Sequence, residues 1–249
     1  MFLAACGASQ PPPPADTSKD EHHDEGGPQL VVQQELGSID ERAVEKTFDD
    51  LSSKLTDCQA QGRSRVEYLA GDVKVYLRID PAGRVKYGWF EDSSLGDRET
   101  ERCLMDVFQR TSWPKPVGGE ADVRHGFGFD PAGERPPSNA WGPEKIVSAL
   151  DDHKDVKKDV QKCKSGVKGD FKLTAYVVHD DAPPKKAAAS AKKKPDKHEK
   201  DKHGGKFQAI GVAAPGKEGA DKVDCVVDAL RSLELPDPGS YAVKVQFLL

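Results

Sequence analysis

Part of this chain is written twice, and that repetition constrains the fold more than any other feature. Cys103-Leu104-Met105-Asp106 runs on to Trp113-Pro114-Lys115-Pro116, and Cys225-Val226-Val227-Asp228 runs on to Leu235-Pro236-Asp237-Pro238. Each cysteine therefore has Asp at +3 and Pro at +11 and +13. With Pro at 18 of 249 positions, the two prolines alone coincide by chance about once in two hundred trials, which marks an internal repeat. The match extends upstream, where Gly71-Asp72-Val73-Lys74-Val75 answers Gly169-Asp170-Phe171-Lys172-Leu173. Val44, Phe48, Leu51, Leu55 and Cys58 fall on one helical stripe, and Ala149, His153, Val156, Val160 and Cys163 repeat it at a constant offset. Downstream, Val123, His125, Phe127 and Phe129 alternate as in a half-buried strand, answered by Tyr241, Val243, Val245 and Phe247.

The repeat divides the chain into two units of about 100 residues, each large enough for a modest core. The first spans 38–130. Ser38-x-x-Glu41 is a capping-box pattern that predicts a helix start, and Leu30-Val31-Val32 reads as an extra edge strand. Val73, Val75, Leu77 and Ile79 alternate before Asp80-Pro81-Ala82-Gly83 turns the chain into Val85, Tyr87 and Trp89, a hairpin. Ser93 to Asp97 opens a second helix that Trp113-Pro114 ends. The order is α-β-β-α-β, and the fold class is α+β. Residues 131–141 read as a linker, and the second unit spans 142–249, with one helix from Pro143 to about Gly166. Its hairpin carries an insert at about 181–205, rich in Pro, Ala and Lys, whose composition predicts disorder.

Residues 1–37 form a Pro-rich, polar tether. Five cysteines are present and the repeats use four in equivalent places, leaving Cys6. It closes Leu3-Ala4-Ala5-Cys6, which resembles the lipobox of bacterial lipoproteins, so Cys6 is the expected lipidation site. Only two residues precede Leu3, so a longer start is expected upstream. The net charge of −5 gives no reason to expect nucleic acid, and no run of about twenty apolar residues marks a membrane span.

Gly71-x-Val73-x-Val75, then Gly83-Arg84-Val85, Ser93-Ser94, a helix, Trp113-Pro114 and Phe127-x-Phe129 resemble the C-terminal domain of the TonB energy-transducer family. The cysteine-bearing form is similar to the related domain of myxobacterial adventurous-gliding proteins. The resemblance covers both units and is clearer in the first. It implies a periplasmic binding module with two helices on one face of a small antiparallel sheet, whose members recognise partner segments by adding a strand at the sheet edge. Envelope proteins are the partners so implied, with the lipid anchor in the outer membrane.

Cys58 ends one helical stripe and Cys103 lies on the buried side of the next helix. Disulfides Cys58–Cys103 and Cys163–Cys225 are expected, the alternative being buried free thiols. The first would close a loop of some 45 residues, worth roughly 4 kcal/mol in the chain-entropy model. His125 and His153 read as half-buried or surface residues and not as ligands, and no metal or other cofactor is expected. No Ser, Cys or Thr stands in a nucleophile signature, so no catalytic residue is expected. Lys74, Tyr76 and Arg78, like Lys172, Thr174 and Tyr176, oppose the apolar face of their hairpins, so one face of each sheet is expected to be bare. An open face and a free edge would admit an extended peptide, with Tyr76 and Tyr176 giving selectivity and Val243 and Lys244 lying on the pairing strand. The alternative is an edge covered by the neighbouring unit or by Leu30-Val31-Val32. Lys185, Lys186, Lys192, Lys193 and Lys194 belong to a stretch of roughly +6 by count over 185–206. It reads as a binder of anionic envelope polymer (peptidoglycan or lipopolysaccharide) or lipid headgroups, a partner for the acidic tether, or a solubilising spacer.

Overall fold

The computed structural model describes residues 36–131, 140–180 and 204–249. Cys6, the tether, Leu30-Val31-Val32 and Lys185, Lys186, Lys192, Lys193 and Lys194 lie outside the described residues. In the first half the elements run α1 (Glu41–Arg63), β1 (Gly71–Ile79), β2 (Val85–Ser93), α2 (Arg98–Arg110) and β3 (Ala121–Phe129). The second half runs α3 (Glu144–Asp152), α4 (Lys154–Lys164), β4 (Lys172–His179), β5 (Gly205–Ala213), α5 (Lys217–Ala220), α6 (Val223–Leu230) and β6 (Val243–Leu248). The fold is α+β, with two three-stranded antiparallel sheets ordered β2-β1-β3 and β5-β4-β6.

The first half follows its periodicity closely. Val44, Phe48, Leu51, Leu55 and Cys58 are all buried on one side of α1. They meet Leu104 and Phe108 of α2 and Val73, Val75, Leu77 and Ile79 of β1 in one core. Burying one such side chain contributes about 1.5–3 kcal/mol. The helix begins two residues later than the capping-box pattern predicts. Asp40 is the cap, its carboxylate accepting from the Arg42 and Ala43 N–H groups at 3.0 and 3.2 Å. Ser38 is instead drawn into a two-bond bridge with Val117. The β1–β2 turn is closed by Asp80, whose Oδ1 accepts from the Ala82 and Arg84 N–H groups, both at 2.9 Å.

The second half departs from the expected pattern at both helices. The single helix predicted through Cys163 is broken at His153, where φ −100° and ψ 76° leave the helical basin. The break frees α3 to turn Ile146 and Leu150 into the second core, where Trp141 joins them. The second helix is also divided, into short α5 and longer α6. Gly216 and Gly219 lie in and beside the first turn, and glycine weakens a helix by about 1 kcal/mol relative to alanine. The last strand begins at Val243, and Tyr241 before it is exposed.

Both cysteine pairs are disulfides, Cys58–Cys103 with Cα atoms 5.7 Å apart and Cys163–Cys225 with Cα atoms 5.6 Å apart. Each staples two helices of its half, α1 to α2 and α4 to α6.

The two halves dock through the outer face of the second sheet. On β5, Ala209, Gly211 and Ala213 alternate on that face beside Tyr176, Thr174 and Lys172 of β4. These small residues leave room for the first half to approach closely. A Cβ on Gly211 would stand 2.5 Å from Glu101 Oε1 and 2.8 Å from the Gly96 Cα. Gly96 has φ +82°, and a Cβ there would meet the Tyr176 ring at 2.9 Å. The contact is sealed by hydrogen bonds. The Thr174 hydroxyl donates to Ser93 O at 3.1 Å, the Tyr176 hydroxyl to Tyr68 O at 3.2 Å, and the Ala214 N–H to Phe90 O at 3.0 Å.

Glu101 is fully buried at this joint, with no exposed surface. Its Oε1 accepts from the Ser93 hydroxyl at 2.6 Å and its Oε2 from the Val212 N–H at 3.1 Å. Burial pushes this carboxyl up to about 7, against the two hydrogen bonds and the Arg98 charge, which lower it.

Candidate functional site

Because β2 and β5 lie at the joint, the outer edges of the two sheets are β3 and β6. Among the described residues no strand pairs with the far side of either. Which backbone groups those edges present follows from the ladder. Asp72 directs both of its backbone groups toward β2, the N–H to Ser94 Oγ and the C=O to the Ser94 N–H, each at 2.8 Å. Asp72 is paired with Gly128. Antiparallel alternation therefore turns the N–H and C=O groups of Asp122, Arg124, Gly126 and Gly128 away from β1. In the second sheet Phe171 and Leu249 exchange both bonds at 3.0 Å, so Lys244, Gln246 and Leu248 present theirs outward.

The two edges differ in their surroundings. Beside β6 the inward side chains Val243, Val245 and Phe247 are buried. Beside β3 the corresponding His125, Phe127 and Phe129 are only half-buried, and a groove pinched shut where His125 meets Phe48 runs between the strand and α1. One end, of about 450 Å³, lies between the first turns of α1 and Ala121 to His125. The other, of about 220 Å³, lies between Phe48 to Thr56 and His125 to Phe129. At the waist the His125 ring stacks on Phe48, centroids 3.9 Å apart and planes 13° apart. Desolvation lowers the His125 pKa, opposed by the carboxylates of Asp49 and Glu45.

Several predicted contact residues are not where an open face requires them. Tyr176 is buried in the joint and belongs to the first core. The expectation of a bare second sheet is corrected accordingly, because the first half covers that face. Tyr76 is also buried, under its own neighbours. Its ring stacks on Trp89 at 4.0 Å, the Arg124 guanidinium lies 4.7 Å from the ring centroid, and its hydroxyl donates to Asp122 at 2.6 Å. Desolvation and the Asp122 hydrogen bond push its pKa up to about 12. Neither tyrosine presents a side chain to an incoming peptide. Val243 is buried, whereas Lys244 donates to Ala70 O at 2.6 Å and lies 5.6 Å from the Tyr176 centroid. Desolvation lowers the Lys244 pKa, with Asp72 opposing.

The groove is a tertiary feature that the repeat pattern does not contain, though the alternating His125, Phe127 and Phe129 are its visible trace. Among the described residues, no helix is long and apolar enough to cross a membrane, and no group of three His, Cys, Asp or Glu side chains is disposed to hold a metal ion. No family model, curated protein or solved structure matches this chain.

Proposed function

We propose that this protein is a non-enzymatic, lipid-anchored scaffold of the cell envelope, whose tandem TonB-C-like modules bind partner proteins by strand addition. The observation that carries this reading is β3, an edge strand with outward backbone groups and a half-buried aromatic row beside an open groove. A partner strand there satisfies backbone groups that no strand among the described residues pairs, and alternate side chains enter the groove. The two outward glycines, Gly126 and Gly128, put no Cβ on the outer face of that strand. The disulfides support an oxidising compartment, and Leu3-Ala4-Ala5-Cys6 supports an anchor at Cys6.

The test is photo-crosslinking in the source cells from a benzoylphenylalanine placed at Arg124 on the β3 edge. Adducts with envelope proteins are expected, and Gly126→Pro should remove them without unfolding the chain, since it deletes an N–H that does not pair with β1. Lys244→Pro, on the other edge, should leave them intact. A Cys6→Ala chain should lose its membrane association. Adducts that persist in Gly126→Pro, with the fold intact, would refute strand addition at β3.

A further inference from the structure

We infer that the α1–β3 groove is built for a basic extended segment, one with Lys or Arg at every second residue; this rests on the strand-addition reading above. Three observations converge on it. The first is charge. Glu41, Glu45 and Asp49 line the groove from the α1 side, all three are exposed, and none has a Lys or Arg ion-pair partner among the described residues. On the opposite wall both charged residues are already paired, Asp122 with Arg78 and Arg124 with Glu91.

The second is spacing. Residues four apart on a helix are separated by about 6 Å along its axis, while alternate residues of a strand are separated by about 6.6–6.8 Å. Carboxylates at 41, 45 and 49 therefore repeat at nearly the interval of the side chains that one face of an added strand would turn toward α1. The floor under them is His125 and Phe127, on which the aliphatic stem of a Lys or Arg can lie while its charged end reaches the rim. A purely apolar strand would leave the three acids without partners.

The third observation is the other copy of the same unit. At the constant offset that aligns Cys58 with Cys163, Glu41 and Glu45 correspond to Ile146 and Leu150. Both are buried in the second core with Trp141. The second half, whose helix is broken at His153 so that α3 turns into its core, has no acidic row at these positions: Ile146 and Leu150 are buried, and Lys154 stands in the place of Asp49.

The probe is a fluorescein-labelled nonapeptide alternating Lys and Val, with a Glu–Val nonapeptide as its charge-reversed control, measured by fluorescence anisotropy on the intact chain. The Lys–Val peptide should bind and the Glu–Val peptide should not. The triple variant Glu41→Gln, Glu45→Gln, Asp49→Asn alters exposed side chains only, so circular dichroism should be unchanged, and its Kd should rise by roughly tenfold. Two further probes carry N-methyl groups on the odd or on the even amides, and the one blocking the β3-facing edge should fail to bind. If the triple variant binds as the wild type does while one N-methylated frame fails, strand addition stands and the basic preference is overturned. Equal binding by both N-methylated frames would overturn strand addition, and this proposal with it. Failure of the wild type to bind the Lys–Val peptide overturns the inference outright.

Discussion

Glu101 makes a sharp test of how the halves are joined, because a buried carboxyl reports its environment through pH. In the folded chain it is pushed from 4.5 up to about 7, first by desolvation, with the Ser93 and Val212 hydrogen bonds and Arg98 pulling the other way. A folded-state pKa raised above the unfolded value means that ionisation opposes folding. The stability associated with the neutral acid is full below about 4.5 and is lost as pH rises through about 7. The gap corresponds to roughly 3 kcal/mol between the two limits. Glu101→Gln removes the titration and keeps the geometry, since the amide oxygen can accept from the Val212 N–H while the amide nitrogen donates to Ser93 Oγ. Urea unfolding of both chains from pH 4 to pH 8.5 should give similar stabilities at the acid end. The wild type should then fall below Glu101→Gln by an amount on the order of 3 kcal/mol at the alkaline end. His125, whose pKa is lowered by desolvation, contributes a slope of the opposite sign to both chains and cancels in the comparison. Glu101→Ala should be worse than either at every pH, by about 2–4 kcal/mol, because it leaves a cavity and two buried donors without acceptors. A wild-type minus Glu101→Gln difference that does not change with pH would refute the account of a desolvated carboxyl at the joint.

Two further outcomes follow from the same packing. Gly211→Ala should destabilise the chain by about 1–3 kcal/mol in urea titration, since its Cβ would stand 2.5 Å from Glu101 Oε1 and 2.8 Å from the Gly96 Cα; a change within about 0.5 kcal/mol would mean that the halves do not meet as described. Reduction should lower the unfolding midpoint strongly, each bridge contributing roughly 4 kcal/mol through loops of 45 and 62 residues; non-reducing peptide mapping that found Cys103 joined to Cys163 would contradict the pairing itself.

What the sequence made legible was what depends on period and local chemistry. The stripe ending at Cys58 and the alternation from Val73 to Ile79 each specify which side is buried, and the structure buries those sides. The Asp80-Pro81-Ala82-Gly83 turn is equally local. The errors arise where the outcome depends on a distant surface. Tyr176 sits at an outward position of its hairpin by every local rule, yet it is buried because another half of the chain lies over it. The clue was on the neighbouring strand: Ala209, Gly211 and Ala213 form a run of small residues on one face, which suits close contact better than exposure to water. The break at His153 has only a faint trace, since His153 is the one polar member of a stripe whose spacing otherwise continues from Ala149 to Cys163. The groove beside β3 is not legible in the sequence for a related reason, since a strand pattern says which residues face inward and not how completely a helix covers them.

The duplication also explains why one half is the better candidate for binding. In the second half the outer sheet face is consumed by the joint, with Thr174 and Tyr176 bonded to backbone carbonyls of the first half. Ile146, Leu150 and Trp141 are buried in its core. Its β6 edge remains unpaired among the described residues, but Val243, Val245 and Phe247 are already buried, so an added strand would gain backbone hydrogen bonds and little else. A net backbone hydrogen bond contributes only about 0.5–1.5 kcal/mol, and ordering an extended segment costs about 1–2 kcal/mol per residue. Backbone pairing alone therefore does not hold a partner, and side-chain burial must supply the difference. Only β3 offers that, through half-buried His125, Phe127 and Phe129 and the carboxylates above them. The second half thus stabilises and positions the first, and Lys244→Pro separates the two roles: it removes an edge N–H from the second sheet and the Nζ bond to Ala70 O, while leaving the groove that would carry the affinity untouched.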